Sequence, residues 1–139
     1  RGLYTVGKSY RGNIEGSDPK HSFHCFGGDD TLYVFEAPID LLSYISLHPE
    51  NWEAHNYVSC CGVSAIPVME ALRQLPQVGQ VYLCLDNDEA GYAACARMTE
   101  LLKERNLAVT RLVPQRKDWN DDLTLGTENA QGLTMTEMG

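Results

Sequence analysis

Short runs of strand-forming residues recur along the chain, and each of them ends at a polar, glycine-containing or proline-containing turn. These runs are residues 32–35, 56–60, 81–85 and 108–113. The third run, VYLCL, has almost no polar break, which is typical of a strand buried on both faces of a parallel sheet. The pattern therefore predicts a series of core strands separated by other elements.

The stretch after the first strand predicts a helix that begins at Pro38. Proline is favoured in the first turn of a helix because its missing N–H would have no partner there. The apolar residues Ile39, Leu42 and Ile45 recur at helical spacing. We expect these three side chains to face the interior.

Two more helices and a short final one are predicted further along. Residues 64–74 begin with Ser64, which can cap a helix, and residues 90–105 repeat apolar positions at helical spacing. A last short helix is predicted to begin within residues 115–123 and to end by Gly126.

The order of these elements predicts an α/β fold with a mostly parallel, Rossmann-like sheet flanked by helices. Residues 31–125 form this domain in our prediction. Residues 1–30 contain the strand candidates 3–6 and 22–26, and we expect them to form a small β-rich extension packed on the sheet edge. Residues 126–139 have little apolar content and are predicted to form a flexible tail.

Composition places the chain among soluble globular proteins. It has 139 residues, 43% hydrophobic content and a mean hydropathy of −0.30. No apolar run approaches the roughly 20 residues of a membrane span. The five cysteines form no Cys-x-x-Cys pair, and several of them lie in apolar runs. This pattern predicts buried, reduced thiols and therefore a cytoplasmic protein. The chain starts without Met, so we expect it to be cut from a longer protein with other domains.

The formal net charge of −8 argues against a stand-alone nucleic-acid binder, because phosphate backbones attract Lys and Arg. It does not exclude an enzyme that acts on nucleic acid, since acidic metal ligands add to the negative count. Basic residues are more frequent in residues 1–20 and 103–117, although a solvated surface explains them equally well.

Acidic residues follow the predicted strands at the points where those strands end. Asp86 and Asp88 follow the third strand, and Glu36 follows the first. Because parallel strands with right-handed crossovers share one carboxyl edge, we expect these side chains to converge with Lys117 and Asp118. Crowded carboxylates favour a hard cation such as Mg²⁺ or Mn²⁺. The alternative is that they only cap helices.

Two other metal or phosphate motifs fit the Asp-x-Asp segment poorly. A calcium loop needs oxygen ligands at its fifth and twelfth positions, where this chain has Ala90 and Arg97. A phosphatase with an aspartyl nucleophile resembles Asp-x-Asp-x-Thr, and Ala90 stands where Thr is expected. Neither motif explains the segment.

Four segments together resemble the signatures of the Toprim domain, the metal-binding module of topoisomerases, bacterial-type primases and some nucleases. They are EAPID at 36–40, CGVS at 61–64, LDNDEAG at 85–91 and KDWND at 117–121. The last one is similar to the Lys-Asp-x-Asn-Glu segment of phage and bacterial primases. One departure is Ala37, which replaces the usual glycine.

The resemblance implies a metal site built from four aspartates. Asp86 and Asp88 would hold Mg²⁺ (or Mn²⁺), and Asp118 and Asp121 would be further ligands, direct or through water. Mg²⁺ prefers few protein ligands and several waters.

The resemblance also implies the residues that act on the substrate. Glu36 is expected to be the general base or acid, Asp40 to orient its neighbours and Lys117 to contact phosphate. The turn at Gly62 and Ser64 offers N–H groups to an anion such as a phosphate, although many ordinary turns look the same.

The leading hypothesis is the Mg²⁺-dependent nucleotidyl-transfer core of a primase-like protein from a bacterial mobile element, which acts on nucleic acid in DNA replication. Its partners would be single-stranded DNA, nucleotides and the other domains of the parent protein, with no membrane. A Toprim nuclease and a non-catalytic nucleic-acid-binding or assembly module are the alternatives. Topoisomerase action needs a tyrosine on a separate domain, and no zinc-finger spacing exists in the chain.

Overall fold

The computed structural model describes residues 23–125 of the chain. Its strands are β1 (His24–Phe26), β2 (Thr31–Phe35), β3 (Asn56–Ser59), β4 (Gln80–Leu83) and β5 (Ala108–Arg111). Its helices are α1 (Pro38–Leu47), α2 (Ile66–Gln74), α3 (Glu89–Lys103), α4 (residues 119–125) and a 3₁₀ turn (Trp52–Ala54). Among these helices, none is long and apolar enough to cross a membrane.

The strands form one sheet in the order β1-β3-β2-β4-β5. β2 pairs with β3 and β4 in parallel, and β5 pairs with β4 in parallel. Only β1 runs antiparallel, beside β3 at the sheet edge. The mostly parallel α/β fold predicted from the sequence is therefore confirmed, and the parallel strands share one carboxyl end.

The sheet has a separate hydrophobic core on each face. α2 and α3 cover one face, where Val68 and Met98 pack on Val34, Leu83 and their neighbours. α1 and α4 cover the other face, where Leu41 of α1 and Trp119 of α4 pack with Phe35, Tyr57 and Cys84. The inner parallel strands β2, β3 and β4 are thus covered on both sides, whereas the edge strand β5 leaves Ala108 and Thr110 exposed.

The inward face predicted for α1 is wrong at Ile39 and Leu42 and confirmed at Ile45, which packs partly buried against the second core. Ile39 and Leu42 are 54% and 46% exposed, whereas Asp40, Leu41 and Ser43 are buried. On the buried side of α1, the backbone N–H of Asn120 donates to Asp40 over 3.1 Å. The Ser43 hydroxyl lies 2.7 Å from the Ile39 carbonyl and 3.3 Å from Asn120 Oδ1. The buried side of α1 therefore combines the apolar Leu41 with polar contacts to α4.

The other predicted boundaries lie close to the observed ones. β3 ends at Ser59 and β5 at Arg111, each shorter than its hydrophobic run. The predicted strand at 22–26 contains β1, whereas the candidate at 3–6 and the tail at 126–139 lie outside the described residues. The β-rich extension as a whole stays a prediction.

Candidate metal centre

The turn between β2 and α1 carries the first two acidic residues of the centre. β2 ends at Phe35, and Ala37 has an extended backbone (φ −136°, ψ 151°) before Pro38 starts the helix. The N–H of Asp40 donates to the Ala37 carbonyl over 3.1 Å. Glu36 therefore lies in the turn itself, and Asp40 lies in the first helical turn with its side chain buried.

The turn between β4 and α3 carries Asp86 and Asp88. Asp88 is the N-cap of α3, and its Oδ1 accepts a hydrogen bond of 2.8 Å from the Gly91 N–H. A Cβ at Gly91 would lie 2.1 Å from the carbonyl oxygen of Asp86. Glycine is needed at this position because the first turn of α3 packs directly on the Asp86 backbone.

The segment from β5 to α4 brings the third group of residues. Asp118 Oδ1 accepts a hydrogen bond of 2.8 Å from the Asp121 N–H at the start of α4. Trp119 is 6% exposed and donates its Nε1–H to the Cys84 carbonyl over 3.0 Å. The Asn120 N–H donates to Asp40 Oδ1 over 3.1 Å. These bonds hold α4 against the carboxyl end of the sheet.

Three aspartates from these three segments meet at the carboxyl end of the parallel strands. Asp40, Asp86 and Asp118 each offer one carboxylate oxygen, and the three oxygens lie within 4.8 Å of one another. Glu36 lies beside them, because its Oε2 accepts a hydrogen bond of 3.2 Å from the Asp86 N–H. The convergence of distant acidic residues is therefore present in the fold.

The carboxylates raise one another's pKa values. Burial raises the pKa of Asp86 to about 7, and the charges of Glu36, Asp40 and Asp118 add to the effect. Burial raises the pKa of Asp40 to about 6, although its hydrogen bond from Asn120 opposes the rise. The pKa of Glu36 is also raised, first by burial, with the Asp86 N–H acting in the opposite direction. Ionised carboxylates are thus costly here unless a cation neutralises them.

One oxygen of this cluster lacks a protein partner. Within residues 23–125, the buried Oδ1 of Asp86 has no hydrogen-bond donor. A buried polar atom without a partner is destabilising unless something else satisfies it. A hard divalent ion that takes carboxylate oxygens, such as Mg²⁺, fits this set of donors.

The trio differs from the four aspartates predicted from sequence. It contains Asp40, which we expected only to orient its neighbours, and it does not include Asp88 or Asp121. Asp88 caps α3, and its Oδ2 lies 3.9 Å from Lys117 Nζ on the rim of the cluster. Its alternative role as a helix cap is therefore real, and the ligand roles of Asp88 and Asp121 stay predictions.

The predicted phosphate-binding turn lies next to Glu36. Gly62 has a φ of 130°, Cys61 has a φ of 51°, and the Gly62 N–H donates to the Glu36 carbonyl over 2.8 Å. Ser64 Oγ accepts from the Ile66 N–H over 3.2 Å at the start of α2. Gly62 therefore supports the backbone of the Glu36 turn, and a phosphate contact at Gly62 or Ser64 stays a prediction.

Two side chains of the site had no role in the sequence analysis. Asn87 contacts the segment before Asp118, and Asp122 on α4 accepts hydrogen bonds from the N–H groups of Gln115 and Arg116, both over 2.8 Å. Their positions beside the Asp-x-Asp and KDWND motifs are the only hint that the sequence offers. A residue type alone does not show which backbone groups its side chain will contact.

A Toprim-like family model matches residues 33–123, which is most of the chain. The match includes the carboxyl-end cluster, which consists of Glu36, Asp40, Asp86 and Asp118. The chain therefore belongs to the Toprim-like family.

Two curated relatives are both uncharacterized bacterial proteins. One from Bacillus anthracis is 30% identical over 122 residues, covering 76% of this chain and 36% of the relative. The other, from Mycoplasma pneumoniae, is 30% identical over 102 residues, covering 72% of this chain and 46% of the relative. The chain thus spans less than half the length of either relative.

The fold is also similar to solved primase structures. The primase fragment of the bacteriophage T7 primase-helicase superposes with a TM-score of 0.56 at 24% identity, over 75% of this chain and 43% of that one. A second structure contains T7 lagging-strand DNA polymerase with primase domains of two gp4 subunits, bound to an RNA/DNA hybrid and dTTP. It has a TM-score of 0.55 at 24% identity, over 75% of this chain and 52% of the other. At this identity the likeness concerns the fold.

Proposed function

We propose that this domain is a Mg²⁺-dependent phosphoryl- and nucleotidyl-transfer core that acts on nucleic acid, as part of a primase-like protein. The observation that carries the proposal is the meeting of Asp40, Asp86 and Asp118 within 4.8 Å. These residues come from three separate segments of the chain. Their convergence at the carboxyl end of a parallel sheet, where α/β folds bind ligands, supports a common function.

The metal would be held by Asp86 together with Asp40 and Asp118, since Asp86 Oδ1 lacks a donor among the described residues. Asp88 and Asp121 would contribute through water. When bound, the ion supplies positive charge that neutralises a phosphate oxygen as negative charge develops during transfer. The N–H of Asn120 holds the Asp40 carboxylate in its orientation, and the Asp121 N–H does the same for Asp118.

Glu36 is the proposed proton acceptor. Its carboxylate is half-buried beside Asp86, and its raised pKa brings it closer to the value that suits a general base near neutral pH. In the forward step the attacking hydroxyl gives its proton to Glu36 as its oxygen bonds to phosphorus. The bond from phosphorus to the leaving oxygen breaks, and the electron pair stays with the leaving group.

Lys117 is the proposed phosphate contact. Its side chain is 63% exposed and its Nζ lies 3.9 Å from Asp88 Oδ2. It can therefore reach solvent at the rim of the acidic cluster and meet an incoming phosphate. An exposed lysine here would also offset part of the negative charge of the carboxylates when the substrate approaches.

The primase reading rests on the family and on the short α4 segment. KDWND runs into the first turn of α4 and contains Asp118, so the segment that is similar to primases is also part of the centre. The T7 primase domains are bound to an RNA/DNA hybrid and dTTP in one related structure. We accordingly propose single-stranded DNA and nucleotides as the ligands of this chain.

The test is an assay with single-stranded DNA, ribonucleotides and Mg²⁺, combined with a Mg²⁺ titration by calorimetry. Wild-type protein is expected to bind Mg²⁺ and to extend or form a primer, whereas Asp86→Asn should lose both. Glu100→Gln is the matched control, because Glu100 is an exposed acid on α3 and the change removes the same charge. Cleavage products would instead support the nuclease, and binding without turnover would support the assembly module. Equal Mg²⁺ binding by Asp86→Asn would refute the metal centre.

A further inference from the structure

The segment that joins β5 to α4 determines where Asp118 lies. Residues 114–117 have no regular helix or strand, and Asp118 follows them directly. An irregular segment keeps a fixed path only when its backbone groups have partners. The partners of this segment therefore decide how far Asp118 lies from Asp86.

Asn87 supplies three of these contacts from the turn after β4. Its side-chain Nδ2 donates to the carbonyls of Pro114 (3.2 Å) and Arg116 (3.1 Å). Its backbone N–H donates to the Lys117 carbonyl over 2.6 Å. One residue between two acidic site residues thus holds the segment that carries a third.

The Asn87 side chain is itself held in place by Tyr92 on α3. The Tyr92 hydroxyl donates to Asn87 Oδ1, which leaves both N–H groups of the amide directed at the two carbonyls. The guanidinium of Arg111 lies 4.6 Å from the centre of the Tyr92 ring. Hydrogen bonds therefore orient the Asn87 amide through both its nitrogen and its oxygen.

Asp122 completes the support from the opposite side. It accepts hydrogen bonds from the Gln115 and Arg116 N–H groups, and its Oδ1 lies 3.8 Å from Arg116 Nη1. Asp122 belongs to α4, so its contacts join the segment to α4 and not to β4. Asn87 joins this segment to the turn after β4, and the Trp119 bond to the Cys84 carbonyl joins the residue after Asp118 to the end of β4.

We propose that Asn87 is a positioning residue that fixes the separation of Asp86 and Asp118 and thereby selects Mg²⁺ over larger divalent ions. The inference rests on the proposed metal centre. Mg²⁺ requires near-octahedral geometry at about 2.0–2.1 Å, whereas Ca²⁺ accepts about 2.3–2.6 Å with flexible geometry. Loss of the two Asn87 side-chain bonds, with the backbone bond to the Lys117 carbonyl kept, loosens the segment before Asp118 and weakens Mg²⁺ binding more than Ca²⁺ binding.

Side chains that orient metal ligands typically change metal affinity by about 10- to 100-fold. We expect Asn87→Ala to weaken Mg²⁺ binding by about tenfold or more and Ca²⁺ binding by less than about threefold. Tyr92→Phe removes only the bond to Asn87 Oδ1 and should give a smaller change in the same direction. A merely structural loss would lower both affinities together, so the ratio of the two constants separates the roles.

Gln77→Ala is the matched control at the other end of the sheet. The Gln77 amide also donates to two backbone carbonyls, those of Gly28 and Asp29, both over 3.2 Å. Its replacement removes the same kind of contact at the opposite end of the sheet from Asp86 and Asp118. The ratio of Mg²⁺ to Ca²⁺ affinity should stay at the wild-type value in this variant.

The experiment measures the binding of both ions by calorimetry and the amide hydrogen exchange of residues 115–118 in metal-free protein. Faster exchange in Asn87→Ala together with a lower Mg²⁺ to Ca²⁺ ratio is the expected result. Faster exchange with an unchanged ratio would overturn the positioning role but leave the metal centre intact. Absence of binding of either ion to wild-type protein would overturn the proposed function and this inference with it.

Discussion

Within residues 23–125, both ends of the sheet carry partly buried acids, but the carboxyl end holds a buried carboxylate oxygen, Asp86 Oδ1, without a donor. At the amino end, Asp29 Oδ2 lies 2.6 Å from His55 Nδ1, and Oδ1 accepts bonds from the Thr31 N–H (3.0 Å) and hydroxyl (2.8 Å). The fully buried Asn56 donates to the carbonyls of Asp29 and Thr31 and accepts from the Gly28 N–H. This network joins β2 and β3 and satisfies its members.

The pKa values differ in the same way between the two ends. Burial alone would raise the pKa of Asp29, but its hydrogen bonds from Thr31 and His55 lower it below the ordinary value. At the carboxyl end the pKa values of Asp40 and Asp86 rise, because burial is joined by the charges of other carboxylates. A buried acid is therefore not by itself a ligand. A buried carboxylate oxygen that has no hydrogen-bond donor and lies among other carboxylates is the better indicator of a metal ligand.

The largest expected effect is that of Gly91→Ala, which disturbs the packing of α3 on the Asp86 turn at the carboxyl end of the sheet. The new Cβ would lie 2.1 Å from the Asp86 carbonyl oxygen, so α3 or the Asp86 turn must move. Overpacking of this kind costs about 3 kcal/mol of unfolding free energy. Urea unfolding measures the loss, and a Mg²⁺ titration should show that binding is lost as well.

Gly79→Ala is the control for this substitution. A Cβ at Gly79 meets nothing within 4 Å, and Gly79 lies just before β4 at the amino end. Its unfolding free energy should change by no more than about 0.5 kcal/mol. A Gly91→Ala protein as stable as Gly79→Ala would show that the turn adapts and that Asp86 is not held as described.

Asn56→Ala is expected to cost about 2 kcal/mol and to leave Mg²⁺ affinity unchanged. The substitution leaves buried carbonyls and an N–H without their partner, and a buried unpaired group costs about 1–3 kcal/mol. Thermal unfolding and calorimetry measure the two properties on one sample. Asn87→Ala should show the reverse profile, with a small loss of stability and a large loss of Mg²⁺ affinity. Parallel effects of the two substitutions would contradict the contrast between the ends.

The sequence predicts the fold well because the inner parallel strands are covered on both faces and are therefore largely hydrophobic. It also predicts the convergence of Glu36, Asp86 and Asp118, since topology alone brings these turns together. It does not predict the inclusion of Asp40, whose orientation depends on an N–H donated by Asn120, 80 residues away. Similarly, an aspartate before a helix can cap the helix or bind an ion. The structure shows that Asp88 caps α3, because its Oδ1 accepts a hydrogen bond from the Gly91 N–H.

Asp86→Asn should raise the stability of the metal-free protein by about 1 kcal/mol, because it removes one charge from a crowded cluster. The gain is modest since water still reaches the cluster and screens the repulsion. Asp29→Asn should do the opposite and lower stability by about 1 kcal/mol, because it weakens a satisfied network. Chemical unfolding in the presence of a chelator measures both. A loss of stability in both variants would mean that the acids at the two ends play the same structural role.

The smallest expected effect is a dependence of metal-free stability on pH. The pKa values of Asp86 (about 7) and Asp40 (about 6) lie above the value of 3.8 for an unperturbed aspartate. The folded protein therefore binds more protons than the unfolded chain between about pH 4 and 7, and stability falls as pH rises through this window. Asp29 has a lowered pKa, so its contribution is lost only as pH falls below the ordinary aspartate range.

We expect the free energy of unfolding in chelator to fall by less than about 1 kcal/mol between about pH 5 and 8, because the carboxylates are partly exposed to solvent. In Asp86→Asn the slope should be shallower, since one of the titrating groups is gone. Saturating Mg²⁺ should flatten the wild-type slope, because the ionised carboxylates are then the stable form and binding releases their protons. A wild-type slope that is equally steep with Mg²⁺ and in chelator would show that the carboxyl-end cluster titrates independently of any ion.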